Sequence, residues 1–222
     1  MATETVENYI KAIFLVCRES ATGEAGMSRI ASAVGVTTGT ATSMVKKLAG
    51  ARLARYERFG GVRLTPRGTR VALDILRRHR LVETFLVRTL KLDWAIVHHE
   101  AERLEHALSP VVLEALDVHL GRPATDPHGD PIPDRGGRLR TGRFGPLASH
   151  NAGAFVRVEQ IADQREMFLR FVATHGLVPG RSVRVRAVDH GARAMTVQSR
   201  GAGPVTLAFQ AADAILVSAP SR

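Results

Sequence analysis

"MSRIASAVGVTTGTATSMVKKLAGARL", residues 27–53, decides how the first third of the chain is built. It contains two short helices, 27–35 and 38–53. Gly35 closes the first and the Thr37-Thr38 pair offers an N-cap for the second. Downstream, "LARYERF" and "VRLTP" are strand-like runs joined around Gly60-Gly61 as a hairpin. Upstream, "TVENYIKAIFLVCRE" (5–19) carries Val6, Tyr9, Ile10, Ile13, Phe14 and Cys17 at helical spacing. Helices followed by a hairpin are the order of a winged helix, whose second paired helix enters the major groove of DNA. The candidate DNA contacts are Thr37, Thr38, Thr40, Thr42 and Ser43 at the start of that helix, Lys46 and Lys47 one turn on, and Arg58 in the hairpin, flanked by Arg55 and Arg63. Small hydroxyl side chains bond phosphates or base edges without blocking close approach. The alternative is a solvated basic hairpin on a helical domain that binds protein.

Charge favours the DNA reading. The 222 residues carry a formal net charge of +10, which points to polyanionic partners. Eleven Lys and Arg face six Asp and Glu over residues 1–75, against six and seven over 76–120, so part of the surplus lies where a DNA surface would be. A hydrophobic content of 45% is that of an ordinary globular protein. The longest apolar run, "AIFLVC" (12–17), is too short to cross a bilayer, and the N-terminus has no signal-peptide pattern, so a cytoplasmic location and no membrane partner are expected. The single cysteine, Cys17, excludes an internal disulfide and any zinc site needing several thiolates; it is read as a helix-face packing residue.

Residues 69–120 are nearly all helical, the last helix opening on Ser109-Pro110 as N-cap and first-turn proline. Gly and Pro then punctuate 121–152 so often that a long loop or linker is expected. Alternating runs in 153–217 suggest a small antiparallel β-barrel with one helix near 160–175. The organisation expected is a DNA-binding domain at 1–70, a helical domain at 71–122, a Pro/Gly-rich loop and linker at 123–152 and a β-domain at 153–222.

Chemistry concentrates in "HHEAERLEH" (98–106). On a helix His98, Glu102, Glu105 and His106 share one sector beside an apolar one. Glu102 and Glu105 are like charges three residues apart, which weakens an isolated helix, so a cation is expected between them. Carboxylates with imidazoles and no thiolate suit Mn²⁺, Fe²⁺, Co²⁺ or Zn²⁺. His79 and Glu83 are a second pair at i,i+4, and Asp126 with His128 in "DPHGDPIP" a third. Each also has a plain reading, as an ion pair or a turn. The zinc-protease pattern, the nucleophile elbow, the phosphate loop and the dinucleotide loop are all absent, so an enzyme is not expected.

"ENYIKAIF" (7–14), "RRHRLVETFLV" (77–87), "HHEAERLEHALS" (98–109) and "DPHGDPIP" (126–133), in this order, resemble the diphtheria toxin repressor family of metal-dependent transcriptional regulators. The resemblance runs from about residue 5 to the end. It implies a mainly α fold with a small β part: an N-terminal winged helix-turn-helix, a helical metal-binding and dimerisation domain, and a C-terminal SH3-like β-barrel similar at "HGLVPGRSVRV" (175–185) to iron-transport accessory domains. It also implies a homodimer with two metal ions per subunit that grips a palindromic double-stranded operator, with no small organic ligand.

The resemblance assigns the primary metal site to Asn8, Glu102, Glu105 and His106. The ancillary site is left with two versions: Glu83, Asp126, His128 and Asp163, or His79, Glu83 and His98 with Gln164. Glutamate at 102, where the iron branch has cysteine, favours Mn²⁺, with Fe²⁺ the alternative and other divalent ions as substitutes in vitro. Asn8 departs from the aspartate or methionine of the two branches. Lys11 stands where some short manganese regulators place a second carboxylate, and an ammonium there opposes a two-ion cluster. The expected function is a manganese-responsive repressor of metal-uptake genes. The other readings are an iron-responsive regulator on the same scaffold, a winged-helix regulator that ignores metal, and a metalloenzyme.

Overall fold

The computed structural model describes residues 3–57, 60–140 and 142–219. They form two compact units. The first holds the chain through Arg78 together with Glu105–Ala107 and Pro133–Leu139; the second holds His79–Leu104, Leu108–Ile132 and the chain from Arg140 onward.

The first unit opens with α1 (Glu4–Glu19), α2 (Met27–Val34) and α3 (Thr38–Gly50). Gly35 ends α2 in the left-handed conformation, at φ 72°, which only a residue without Cβ adopts at little cost. The Thr37 side chain accepts the Thr40 N–H and caps α3. The strands β1 (Ala54–Tyr56) and β2 (Val62–Leu64) pair antiparallel in the expected hairpin. Tyr9, Ile10 and Ile13 of α1 join Ile30, Val45, Leu48 and Val62 in one core. The apolar spacing of α1 thus exists to hold the helix pair and the hairpin together.

The long helix α4 (Pro66–Arg88) runs from the first unit into the second. In the second unit it meets α5 (Val97–Leu104) and α6 (Pro110–His119) through two small cores, Val82, Leu86, Val97 and Ala101, then Leu81, Leu113 and Ile132. A 3₁₀ turn, Glu105–Ala107, follows α5. Ser109 caps α6 by accepting the Val112 N–H, with Pro110 at its first turn.

The C-terminal part is a six-stranded antiparallel sheet made of β3 (Gly145–Pro146), β4 (Phe155–Ile161), β5 (Ser182–Asp189), β6 (Ala194–Ser199), β7 (Val205–Ala208) and β8 (Ile215–Ser218), in the order β3-β8-β4-β5-β6-β7. The helices α7 (Glu166–Thr174) and α8 (Phe209–Asp213) accompany it. Val156, Val158, Val183, Val185, Met195 and Val197 alternate inward and pack on Leu169 and Val172 of α7. Ala95, from the connection between α4 and α5, is buried in the same core and Trp94 packs against it.

The Pro- and Gly-rich stretch, expected as a loop and linker, is in part an ordered piece of the second unit. Asp126 and His128 are buried, and the His128 carbonyl accepts the Ile161 N–H of β4 at 2.9 Å. Gly129, at φ 90°, passes so close to β4 that a Cβ would lie 1.9 Å from the Glu159 carbonyl oxygen. Further on, Gly145–Pro146 is already an edge strand, paired with β8. Composition marked this stretch as non-helical and non-strand, but contacts made across the chain give it a fixed place.

Candidate metal centres and DNA-binding face

In the first unit His106, on the 3₁₀ turn, meets the first turns of α1. Its Nδ1 lies 2.6 Å from Glu7 Oε2 and its Nε2 2.9 Å from Asn8 Oδ1. A carboxylate only accepts, so Nδ1 donates its proton to Glu7. That leaves Nε2 as the nitrogen facing Asn8 and Glu105, whose Oε1 is 3.4 Å away. Glu105 is fully buried, and Lys11 Nζ donates to its Oε1 at 2.7 Å. Asn8, Glu105 and His106 therefore converge, in a set of oxygen and imidazole donors that fits a hard or borderline divalent cation. Glu102, the fourth residue assigned to this site, lies on α5 in the second unit, where its Oε1 is 3.7 Å from His98 Nε2.

Glu83 of α4 organises the second unit. Its Oε1 is 3.0 Å from His79 Nε2 and 3.1 Å from His98 Nδ1, and those two nitrogens are themselves 3.0 Å apart. Its Oε2 faces His128 Nδ1 at 3.9 Å. Two groups with metal-holding geometry result, His79–Glu83–His98 and Glu83–Asp126–His128, sharing the one carboxylate. Burial by itself would raise the Glu83 carboxyl; the His79 charge and hydrogen bonds from His79 and His98 overcome it and hold Glu83 well below the usual carboxylate range. Asp126 goes the other way, pushed well above that range by burial and by the neighbouring Asp130 and Glu83.

The surrounding bonds leave two atoms over. His128 Nε2 donates to the Trp94 carbonyl at 2.9 Å while the ring stacks on the indole. Its Nδ1 is buried and has no hydrogen-bond partner. Asp126 Oδ1 accepts the N–H groups of His128 and Asp130, in the turn that shapes the loop. Its Oδ2 is likewise buried without a hydrogen bond, 3.5 Å from Arg80 Nε. Arg80 itself is engaged by Asp130 at 2.9 Å and by the Pro131 carbonyl. Buried polar atoms are nearly always satisfied, so an orphaned imidazole nitrogen and an orphaned carboxylate oxygen on residues of one His/carboxylate group suit a cation site.

Asp163 is not brought to either group. Arg165, two residues on, clasps its carboxylate through Nε and Nη2, and these hydrogen bonds lower its pKa. Gln164 instead donates to Asp130 Oδ2 at 2.8 Å. The sequence reading also missed Glu7, Arg80 and the Trp94 carbonyl. Glu7 adjoins Asn8 in the sequence; no local pattern announces a carbonyl.

On the DNA-binding side, Thr38, Thr40, Ser43, Lys46 and Lys47 are exposed on α3. Thr37 is occupied as the cap, while the Thr42 and Ser43 hydroxyls donate back to the carbonyls of Thr38 and Gly39, leaving their lone pairs as acceptors. Arg58 lies outside the described residues. In the second unit Val111, Val112 and Val118 of α6 are exposed, beside a groove lined by Phe85, Ala115 and Leu116. Among the described residues no helix is long and apolar enough to cross a membrane.

Known proteins match along the whole chain. The iron dependent repressor N-terminal DNA binding domain matches residues 1–62, the iron dependent repressor metal binding and dimerisation domain 65–134, and the FeoA domain 145–219. The iron-dependent repressor IdeR of Mycobacterium leprae is 30% identical over 231 residues, covering 96% of each chain. The regulator MntR of Geobacillus thermodenitrificans is 36% identical over 109 residues, 49% of this chain and 75% of its own. Among solved structures, a manganese-dependent transcriptional repressor in complex with manganese superposes with TM-score 0.88 at 36% identity, over 97% of this chain and 100% of that one. The T. acidophilum IdeR structure follows with TM-score 0.77 at 28% identity, over 99% of each. These proteins are regulators, not enzymes; the matched domains make this chain a DNA-binding homodimer with a metal-binding domain. The chain belongs to the diphtheria toxin repressor family of iron- and manganese-dependent transcriptional repressors.

Proposed function

We propose that the chain is a manganese-responsive repressor of metal-uptake genes, acting as a homodimer on a palindromic operator. The observation that carries this reading is His106, whose Nδ1 donates to Glu7 and whose Nε2 faces Asn8 at the start of α1. The turn that supplies Glu105 and His106 is thereby part of the DNA-binding unit. Asn8, Glu105 and His106 would hold the primary ion. Bound there, a divalent ion supplies positive charge and fixed geometry. The Glu83 groups would hold a second ion, and the exposed valines of α6 would meet the second subunit.

In such a dimer an ion that ties α1 to the turn favours one spacing of the two α3 helices, and half-sites on one DNA face demand a fixed spacing. The coupling is about 1–3 kcal/mol and reciprocal, so operator DNA tightens metal binding by the same factor. Manganese is favoured because every donor is oxygen or imidazole. Iron is the second reading, favoured by the mycobacterial relative that matches end to end.

The test is anaerobic fluorescence anisotropy of a labelled duplex from the gene's own upstream region, in chelator and then in Mn²⁺ or Fe²⁺ at matched salt. Binding only with metal is expected, with Mn²⁺ the more effective. Equal binding in chelator overturns metal gating, and a stronger response to Fe²⁺ reverses the choice of ion.

A further inference from the structure

The two groups around Glu83 differ in chemistry. The His79–His98 side offers two imidazole nitrogens and Glu83 Oε1; the Asp126–His128 side offers one imidazole nitrogen, Glu83 Oε2 and a carboxylate oxygen of Asp126. We propose that this centre is a single-ion site with two alternative pockets, and that the pocket filled sorts a hard activating ion from softer competitors. The inference rests on the reading of Glu83 as a metal ligand and adds how that site chooses its ion.

Charge limits the occupancy. The buried carboxylates of Glu83 and Asp126, with Asp130, face one guanidinium, Arg80. With every carboxylate ionised these four groups sum to a formal −2, which one divalent ion neutralises. With Glu102, 3.7 Å from His98, counted as well, a second ion would still leave an excess of +1 beside the buried Glu83 carboxylate, and uncompensated buried charge is strongly unfavourable. The shared carboxylate makes filling one pocket costly to the other.

Donor chemistry then sets the preference. Imidazole-rich sets suit Zn²⁺, Co²⁺ and Fe²⁺, while carboxylate-rich sets suit Mn²⁺. The nitrogen-rich pocket is also the tighter one. Its three donor atoms lie 3.0–3.1 Å apart. The oxygen-rich pocket is wider, with 3.9 Å between His128 Nδ1 and Glu83 Oε2, which leaves room for a larger ion. The two pockets also pull on different parts of the fold. One joins α4 to α5; the other joins α4 to the loop that β4 holds through Ile161 and Gly129. An ion in the wrong pocket is bound without engaging that loop.

The experiment uses the full chain carrying His106→Gln, which silences the primary centre, with Mn²⁺ and Zn²⁺ each titrated by equilibrium dialysis and elemental analysis and Mn²⁺ also followed by electron paramagnetic resonance. Removing a ligand costs about tenfold in affinity or more, since even outer partners of a ligand cost that much. His98→Gln, at a half-exposed position, is expected to weaken Zn²⁺ by that factor and leave Mn²⁺ within threefold. Asp126→Asn and His128→Gln are expected to do the reverse; the isosteric Asp126→Asn keeps the turn-forming oxygen, so one oxygen-side variant stays folded. Zn²⁺ should release bound Mn²⁺ one for one. Variants that shift both metals alike, or Mn²⁺ and Zn²⁺ retained together, overturn the two-pocket site while leaving Glu83 a metal ligand. No ion bound at all overturns both readings.

Discussion

Replacing Lys11 with methionine isolates what a built-in cation does at the primary centre. Lys11 Nζ and Glu105 Oε1 are 2.7 Å apart, with their side chains 10% and 0% exposed. Neither charge is well hydrated, so removing one partner strips the other of a short buried ion pair, a loss of about 3–5 kcal/mol. Lys11 keeps slight contact with solvent, which places the effect near the lower figure. For a chain of this size about 3 kcal/mol lowers the melting temperature by roughly 6–12 °C. The sign of the metal response is the sharper outcome. In the natural chain an incoming ion competes with an ammonium already on Glu105; in Lys11→Met it meets a carboxylate that lacks that partner. Added Mn²⁺ should therefore raise the melting temperature of the variant by more than that of the natural chain, recovering most of the loss. The assay is thermal unfolding by circular dichroism, in chelator and in saturating Mn²⁺. A variant that melts like the natural chain in chelator would refute the buried-pair argument. An equal metal increment in both would show that Lys11 and the ion do not compete for Glu105.

Three further outcomes follow from the geometry. Gly129→Ala combines a left-handed backbone with a Cβ 1.9 Å from the Glu159 carbonyl; it should cost roughly 2–3 kcal/mol and open the loop near 126–133 to proteolysis, and an unchanged melt with an intact loop would contradict the close approach. Lys46→Ala, at an exposed position on α3, should weaken operator binding and lower the slope of log affinity against log salt by about 1; an unchanged slope would mean that Lys46 touches no phosphate. Asp126→Asn has a pH signature in chelator. Because the folded-state pKa of Asp126 is raised, the native chain binds more protons than the unfolded one, and stability falls as pH rises from the usual carboxylate range through that raised value. The variant lacks this loss, so its advantage over the natural chain should grow with pH across that window, read by urea unfolding at several pH values. A constant difference would place Asp126 at an ordinary pKa.

The parts of this molecule legible in its sequence are those decided within a few residues. Gly35 and Thr37 mark the turn of the helix pair because a left-handed residue and a capping hydroxyl act on their immediate neighbours. Ser109 and Pro110 open α6 for the same reason, and the apolar spacing of α1 follows from helix geometry alone. The residue types at the candidate centres were legible too, as imidazoles and carboxylates sharing a helix face. Their partition among sites was not. His106 meets Glu7 across 99 positions and Arg80 meets Asp130 across 50, and no periodicity encodes such pairings. Asp163 shows the opposite failure. Its partner Arg165 was two residues away, a local pairing that spacing alone could have shown. Asp126 lies between these cases: its turn is local, but its burial depends on β4, whose close approach only Gly129 permits. A glycine with no chemistry of its own thus helps to set which carboxylate stands beside Glu83, and with it the donor set that the ion meets.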